Sequence, residues 1–135
     1  MKNFIIIFIV ALFITGCSNT AKQLKEKIIN ADSAAINYFK GDGTMDTVVA
    51  VKIIKDKQSI EQLTSFITGN SASVKNNCGY DGSVHYFKND AVIQDIFFNT
   101  SIESCRCFQF VLNGKRGSTQ LSDEAGKLLF AIKLK

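Results

Sequence analysis

Phe4 through Ile14 is an unbroken run of eleven apolar residues, preceded by Lys2 and followed at once by Thr15, Gly16 and Cys17. A helix that crosses a bilayer needs roughly 20 apolar residues, so this run is too short to span one. A basic start, a short apolar centre and small residues behind it form the layout of a secretory signal segment. Residues 1–16 are therefore expected to be a signal peptide that takes no part in the fold. The folded part is expected to begin beyond it.

That division also rescales the composition. The chain has 135 residues and is 46% apolar, but twelve of those apolar residues lie in the first sixteen positions. The remainder has the balance of one soluble domain, long enough to bury a single core. Disordered, collagen-like and multi-span membrane classes are excluded. The net charge is +4, or +3 without Lys2, too small to argue for nucleic acid, and no nucleic-acid partner is expected.

Ile14-Thr15-Gly16-Cys17 resembles the lipobox of bacterial lipoproteins. The resemblance implies cleavage before Cys17 and acylation of its sulfur by chains such as palmitate, which makes Cys17 the lipidation site. Two or more acyl chains give lasting membrane attachment, so the expected location is the cell envelope. Ser18 in the next position implies the outer membrane if the cell has two. Lys22, Lys25 and Lys27 follow closely and can rest on anionic headgroups. The expected organisation is a signal peptide at 1–16, a lipidated cysteine and short helical tether at 17–31, and one domain at 32–135.

With Cys17 assigned to lipid, Cys78, Cys105 and Cys107 remain, and an oxidising compartment favours one disulfide and one spare thiol. Cys105 and Cys107 sit two apart in what reads as a strand, on the same face, so bridging them would strain the bond. Cys78 with Cys105 is the first expectation and Cys78 with Cys107 the alternative. A zinc site from Cys78, His85, Cys105 and Cys107 has enough ligands, but its spacing differs from paired knuckles. No metal and no cofactor are expected.

Periodicity supplies the elements. Lys22 to Asn30 has Leu24, Ile28 and Ile29 on one helical face. Residues 33–39 and the β-branched stretch 47–54 flank Asp42-Gly43 and read as a hairpin. Asp56 caps a helix through Thr68 with Ile60, Leu63, Phe66 and Ile67 as its apolar face. Asn70 to Gly82 is rich in turn formers. Strands follow at 83–88, 91–98 and 105–112, with Asn89-Asp90 as a turn. Asn113-Gly114 then leads to a last strand, and Ser122 caps a helix carrying Ala125, Leu128, Leu129 and Ile132. The expected fold class is α+β, an antiparallel sheet of five to six strands in the order α-β-β-α-β-β-β-β-α.

From Val49 onward this order, with Cys78-Gly79-Tyr80-Asp81-Gly82, Phe97-Phe98-Asn99, Cys105, Asn113-Gly114-Lys115 and Leu121-Ser122-Asp123-Glu124-Ala125, resembles small uncharacterised bacterial lipoprotein domains. The resemblance implies fold and location and carries no activity.

The motifs of catalysis are missing: no Gly-rich phosphate loop, no nucleophile elbow and no His-Glu-x-x-His helix. His85 is the only histidine, so any nucleophile–base pair must use it, with Cys78 or Cys107 as the thiol and Asp81 as the orienting acid. The plain alternative is a strand histidine facing solvent, and no catalytic residue is expected. If Cys78 bonds Cys105, loops 70–82 and 99–104 meet and expose Tyr80, Asp81 and Ile102 on a pinned surface. Loops held on a rigid scaffold concentrate binding residues. The expected function is a non-enzymatic binding, inhibitor or assembly module of the envelope with a protein or glycan partner. The alternatives are a thiol-dependent redox or metal-binding protein and a structural lipoprotein without a discrete ligand.

Overall fold

The computed structural model describes residues 20–42 and 44–135, so Cys17, the lipobox and Gly43 lie outside the described residues. Three helices and six strands follow one another as α1 (Thr20–Ile28), β1 (Ser33–Phe39), β2 (Val48–Ile54), α2 (Lys57–Ile67), β3 (Gly82–Lys88), β4 (Ala91–Asn99), β5 (Cys107–Leu112), β6 (Lys115–Gln120) and α3 (Asp123–Leu134). This is the α+β order expected from periodicity. The strands make one sheet in the order β2-β1-β3-β4-β5-β6, antiparallel throughout.

Local chemistry explains the element ends. The Asp56 carboxylate accepts the Ser59 amide at 2.8 Å, and the Ser122 hydroxyl accepts the Ala125 amide at 3.1 Å, so both later helices start on side-chain caps. Asn89 and Asp90, like Asn113 and Gly114, all have positive φ. Two consecutive left-handed residues form the tight turn that matches strand twist, which is why Asn, Asp and Gly stand there.

The sheet has two unlike faces. Ala34, Ile36, Val84, Tyr86, Ile96, Phe98 and Phe108 point to the helices and are at most 1% exposed. On that side α1 packs against β4 and α2, α2 against α3, and α3 against β2. Tyr38 donates its hydroxyl to the Leu129 carbonyl, and burial pushes its phenol up to about 12. Thr119 donates to the Ile67 carbonyl and Thr64 shares a hydrogen bond with Tyr86, tying α2 to β6 and β3. The sheet's other face carries the segment 70–81. It begins as an added strand along β6, through the Ser71–Thr119 bridge and the Ala72 amide on the Ser118 carbonyl. It then lies over β5 and β6, where Cys107, Gln109 and Ser118 are buried. On β1, β3 and β4 this face is mostly half-buried, with Ser83 and Asn99 buried, and it is open at β2, where Val49, Val51 and Ile53 are more than half exposed.

Two local expectations differ from the structure. Cys105 is not in a strand beside Cys107: it ends a single 3-10 turn, Glu103–Cys105, and β5 begins at Cys107. The turn is closed by the Cys105 amide on the Ile102 carbonyl at 2.8 Å. The helix expected as a tether is part of the core, because Ala21, Leu24 and Ile28 are buried and Leu24 and Ile28 are fully enclosed. α1 therefore packs into the same core as the elements of residues 32–135. No helix among the described residues is long and apolar enough to cross a membrane.

Candidate functional site

Antiparallel pairing gives the sheet two ends. One holds the Asn89-Asp90 and Asn113-Gly114 turns, here the turn end. The other holds the β1–β2 connection, the 100–106 segment and the start of β5, and is here the stapled end.

The stapled end is built around a disulfide between Cys78 and Cys105, with α carbons 5.8 Å apart. This is the first of the two expected pairings, and Cys107 is left as the free thiol. Asp81 stands three residues after Cys78. One carboxylate oxygen accepts the Thr100 amide at 2.6 Å, the Thr100 hydroxyl at 2.9 Å, and the Ser101 amide and hydroxyl, both at 2.9 Å. Asn99 adds to the clamp. Its amide donates to the Gly79 carbonyl at 2.6 Å, and its side-chain oxygen accepts the Ser101 and Ile102 amides. An irregular segment is thus held by side chains where no ladder can hold it. Ile102, at its tip, is 50% exposed. Met45 of the β1–β2 connection reaches the same end, where its sulfur accepts the Tyr80 amide at 3.1 Å, and it remains 42% exposed.

Of the three residues expected to share one exposed surface, each has a distinct place. Ile102 is exposed at the stapled end. Asp81 is engaged fourfold by Thr100 and Ser101. Tyr80 turns onto the face that carries segment 70–81, where its ring packs on Phe97 with centroids 5.0 Å apart and its hydroxyl donates to Gln109 Oε1 at 3.2 Å. The Arg116 guanidinium donates to the same oxygen at 3.2 Å and to Asn76 Oδ1 at 2.8 Å.

These groups border a cavity of about 450 Å³. It exists because the β4–β5 ladder stops at Ile96 and Phe110. Beyond that point the Gln94 side chain bridges the gap, donating to the Val111 and Asp95 carbonyls, both at 3.0 Å, and accepting from Lys27 Nζ at 3.0 Å. Lys27 and Arg116 both line this cavity. Neither has a carboxylate partner among the described residues. Chemically the opening offers two cations, an aromatic wall, side-chain amides and the Asp95 carboxylate, which is bound to His85, so it suits a polar group held by the two cations. Nothing in the sequence marks Gln109, Arg116 and Met45 as neighbours of Tyr80, because only the folded path of segment 70–81 brings them together. Lys27 is visible as part of the basic stretch.

His85 is not paired with a cysteine or with Asp81. Its Nε2 lies 2.9 Å from Ser83 Oγ and its Nδ1 2.5 Å from Asp95 Oδ1. The order of contacts is that of a hydroxyl nucleophile, a base and an orienting acid. The array still presents no nucleophile to a substrate, because Ser83 is 2% exposed and its strand is paired on both sides, leaving its backbone amides in the ladders. Cys107 is buried with the Gln109 amide 3.4 Å from its sulfur. Among the described residues no group of three His, Cys, Asp or Glu side chains could hold a metal ion.

No family model, curated protein or solved structure matches the chain.

Proposed function

We propose that the chain is a membrane-anchored envelope lipoprotein that serves as a non-enzymatic binding module, holding a protein or glycan partner at its stapled end. The lipobox-like Ile14-Thr15-Gly16-Cys17 supports the anchor and the address. The observation that carries the binding reading is the doubly fixed segment 99–105, held by the Cys78–Cys105 bond and by four donors on Asp81 while Ile102 stays half exposed. A preorganised apolar tip loses little conformational entropy on binding, so more of its contact energy appears as affinity. Met45 beside it widens the apolar contact with a side chain that adapts to different partners.

The test is affinity capture from intact envelopes with the wild-type chain and with Ile102→Asp. The variant is expected to retain its melting temperature and lose the captured partner. Capture that is unchanged by Ile102→Asp contradicts the reading. The competing thiol-dependent reading has Cys107 as its reduced group. A reactive thiol needs exposure and a positive neighbourhood, whereas Cys107 is 3% exposed. One free thiol and no bound metal in envelope-purified protein supports the binding module; two or three free thiols with stoichiometric metal supports the competitor.

A further inference from the structure

The two ends of the sheet differ in charge. At the stapled end stand Asp42, Asp46, Asp81, Glu103 and Asp123; of the cations there, Lys40 and Arg106 are ion-paired with Asp42 and Asp123, while Lys127 and Lys133 line the neighbouring clefts. Around α1 and the β5–β6 turn stand Lys22, Lys25, Lys27, Lys115 and Arg116, all exposed, and none has a carboxylate partner among the described residues. The acids on the same side are Glu26, Asp32, Asp90 and Asp95; Asp32 lines a cleft with Lys27 and is ion-paired with Lys88, and Asp95 is bound to His85. The basic end also carries exposed apolar side chains, with Val92 50% and Val111 58% exposed beside the Lys27–Arg116 cavity.

This end is also where the chain enters the fold. Thr20, the first residue of α1, lies against Gly117: a Cβ on Gly117 would be 3.1 Å from Thr20 Cγ2. Gly117 follows Arg116 directly. From Cys17 to Thr20 the backbone can span at most about 10 Å. An acyl group on Cys17 therefore holds the bilayer surface within reach of the basic end, and the anionic face of a bilayer attracts cations within about a Debye length, roughly 10 Å.

We infer that the basic end of the sheet docks on the anionic phospholipid headgroups of the bilayer that holds the anchor. Lys27 and Arg116 straddle a headgroup phosphate at the cavity mouth, and Val92 and Val111 enter the interface. The inference rests on the lipidation of Cys17 in the proposed function and goes beyond it by fixing orientation: the stapled end, with Ile102, faces away from the membrane toward the partner.

The chain contains no tryptophan, so a single introduced indole reports its own surroundings. The full-length lipidated chain carrying Val111→Trp or Ile102→Trp is placed in phosphatidylcholine vesicles with and without phosphatidylglycerol, and quenching by brominated acyl chains is read. The Val111→Trp reporter is expected to shift to the blue and be quenched only where phosphatidylglycerol is present, and the Ile102→Trp reporter to stay unquenched in both. Adding Lys27→Glu and Arg116→Glu should abolish the lipid dependence, and the milder Lys27→Gln and Arg116→Gln pair, which tests for misfolding, should reduce it. Equal quenching of Val111→Trp in both vesicle types overturns the anionic headgroup as the ligand, and quenching of Ile102→Trp overturns the orientation. A response of Val111→Trp to inorganic phosphate or to soluble glycan in phosphatidylcholine vesicles, without a response to phosphatidylglycerol, overturns the choice of ligand. Flotation with pure phosphatidylcholine vesicles reports the anchor separately. Loss of flotation removes the lipoprotein reading and the docking with it, while flotation without lipid-dependent quenching removes the docking alone.

Discussion

Gly82 stands where β3 begins, and a Cβ there would lie 2.3 Å from both the Asn37 carbonyl oxygen and the Phe98 ring. Strand β1 and an aromatic of the core close on the same point, so the missing side chain is a packing requirement. Gly82→Ala should destabilise the domain by about 2 kcal/mol or more, read as a lower urea midpoint at unchanged slope. The staple beside it closes a span of 27 residues. On the chain-entropy argument its removal in Cys78→Ser with Cys105→Ser should cost about 3 to 4 kcal/mol, and at the same time release segment 99–105. Charge at single residues gives a pH signature. The Ser59 amide holds the Asp56 carboxyl below the usual carboxylate range, and hydrogen bonds from Thr44 act alike on Asp42. A carboxyl whose folded pKa is depressed contributes its stability above the unfolded value, about 3.9, and loses it as pH falls through the folded pKa. The stability gap between wild type and Asp56→Asn should therefore be full at neutral pH and close in acid below about pH 4; a gap independent of pH would contradict the charge-assisted cap.

At the scale of elements, what the sequence discloses is what depends on near neighbours. The Asp56 and Ser122 caps, the Asn89-Asp90 and Asn113-Gly114 turns and the pairing of 33–39 with the β-branched stretch after it are written in short windows, and each stands where expected. The function of α1 is not local. Its lysines suggest a solvated tether, yet a helix of nine residues is marginal in water unless its apolar stripe is covered, and β4 and α2 cover it. Leu24→Ala should accordingly cost about 3 kcal/mol as a core truncation, where a free tether would show no change in the thermal midpoint. The 3-10 turn at Glu103–Cys105 and the added strand at Ser71 are equally invisible in sequence, because the staple and the free edge of β6 that organise them are distant along the chain. The parting of β4 and β5 that opens the cavity depends on one glutamine side chain replacing the ladder, and no residue pattern announces it.

At the scale of the molecule, the candidate site is half legible in the sequence. Cysteine arithmetic points to the Cys78–Cys105 pair and so to the meeting of segments 70–82 and 99–104. It cannot show that Asp81 serves as an internal clamp, or that Tyr80 belongs to the Lys27–Arg116 cavity, since both depend on the path of segment 70–81 across the sheet. The proposed polarity, a basic end docked at the membrane and a stapled end bearing exposed apolar tips toward the partner, is the central claim. Photo-crosslinking in intact envelopes tests it most directly, with a crosslinking side chain placed at Ile102 and, as the control, at Val51 on the open sheet face. Specific adducts at Ile102 that vanish in the Cys78→Ser, Cys105→Ser chain, with none at Val51, are the predicted result. Adducts at Val51 with none at Ile102, or adducts at Ile102 that persist without the staple, would contradict it.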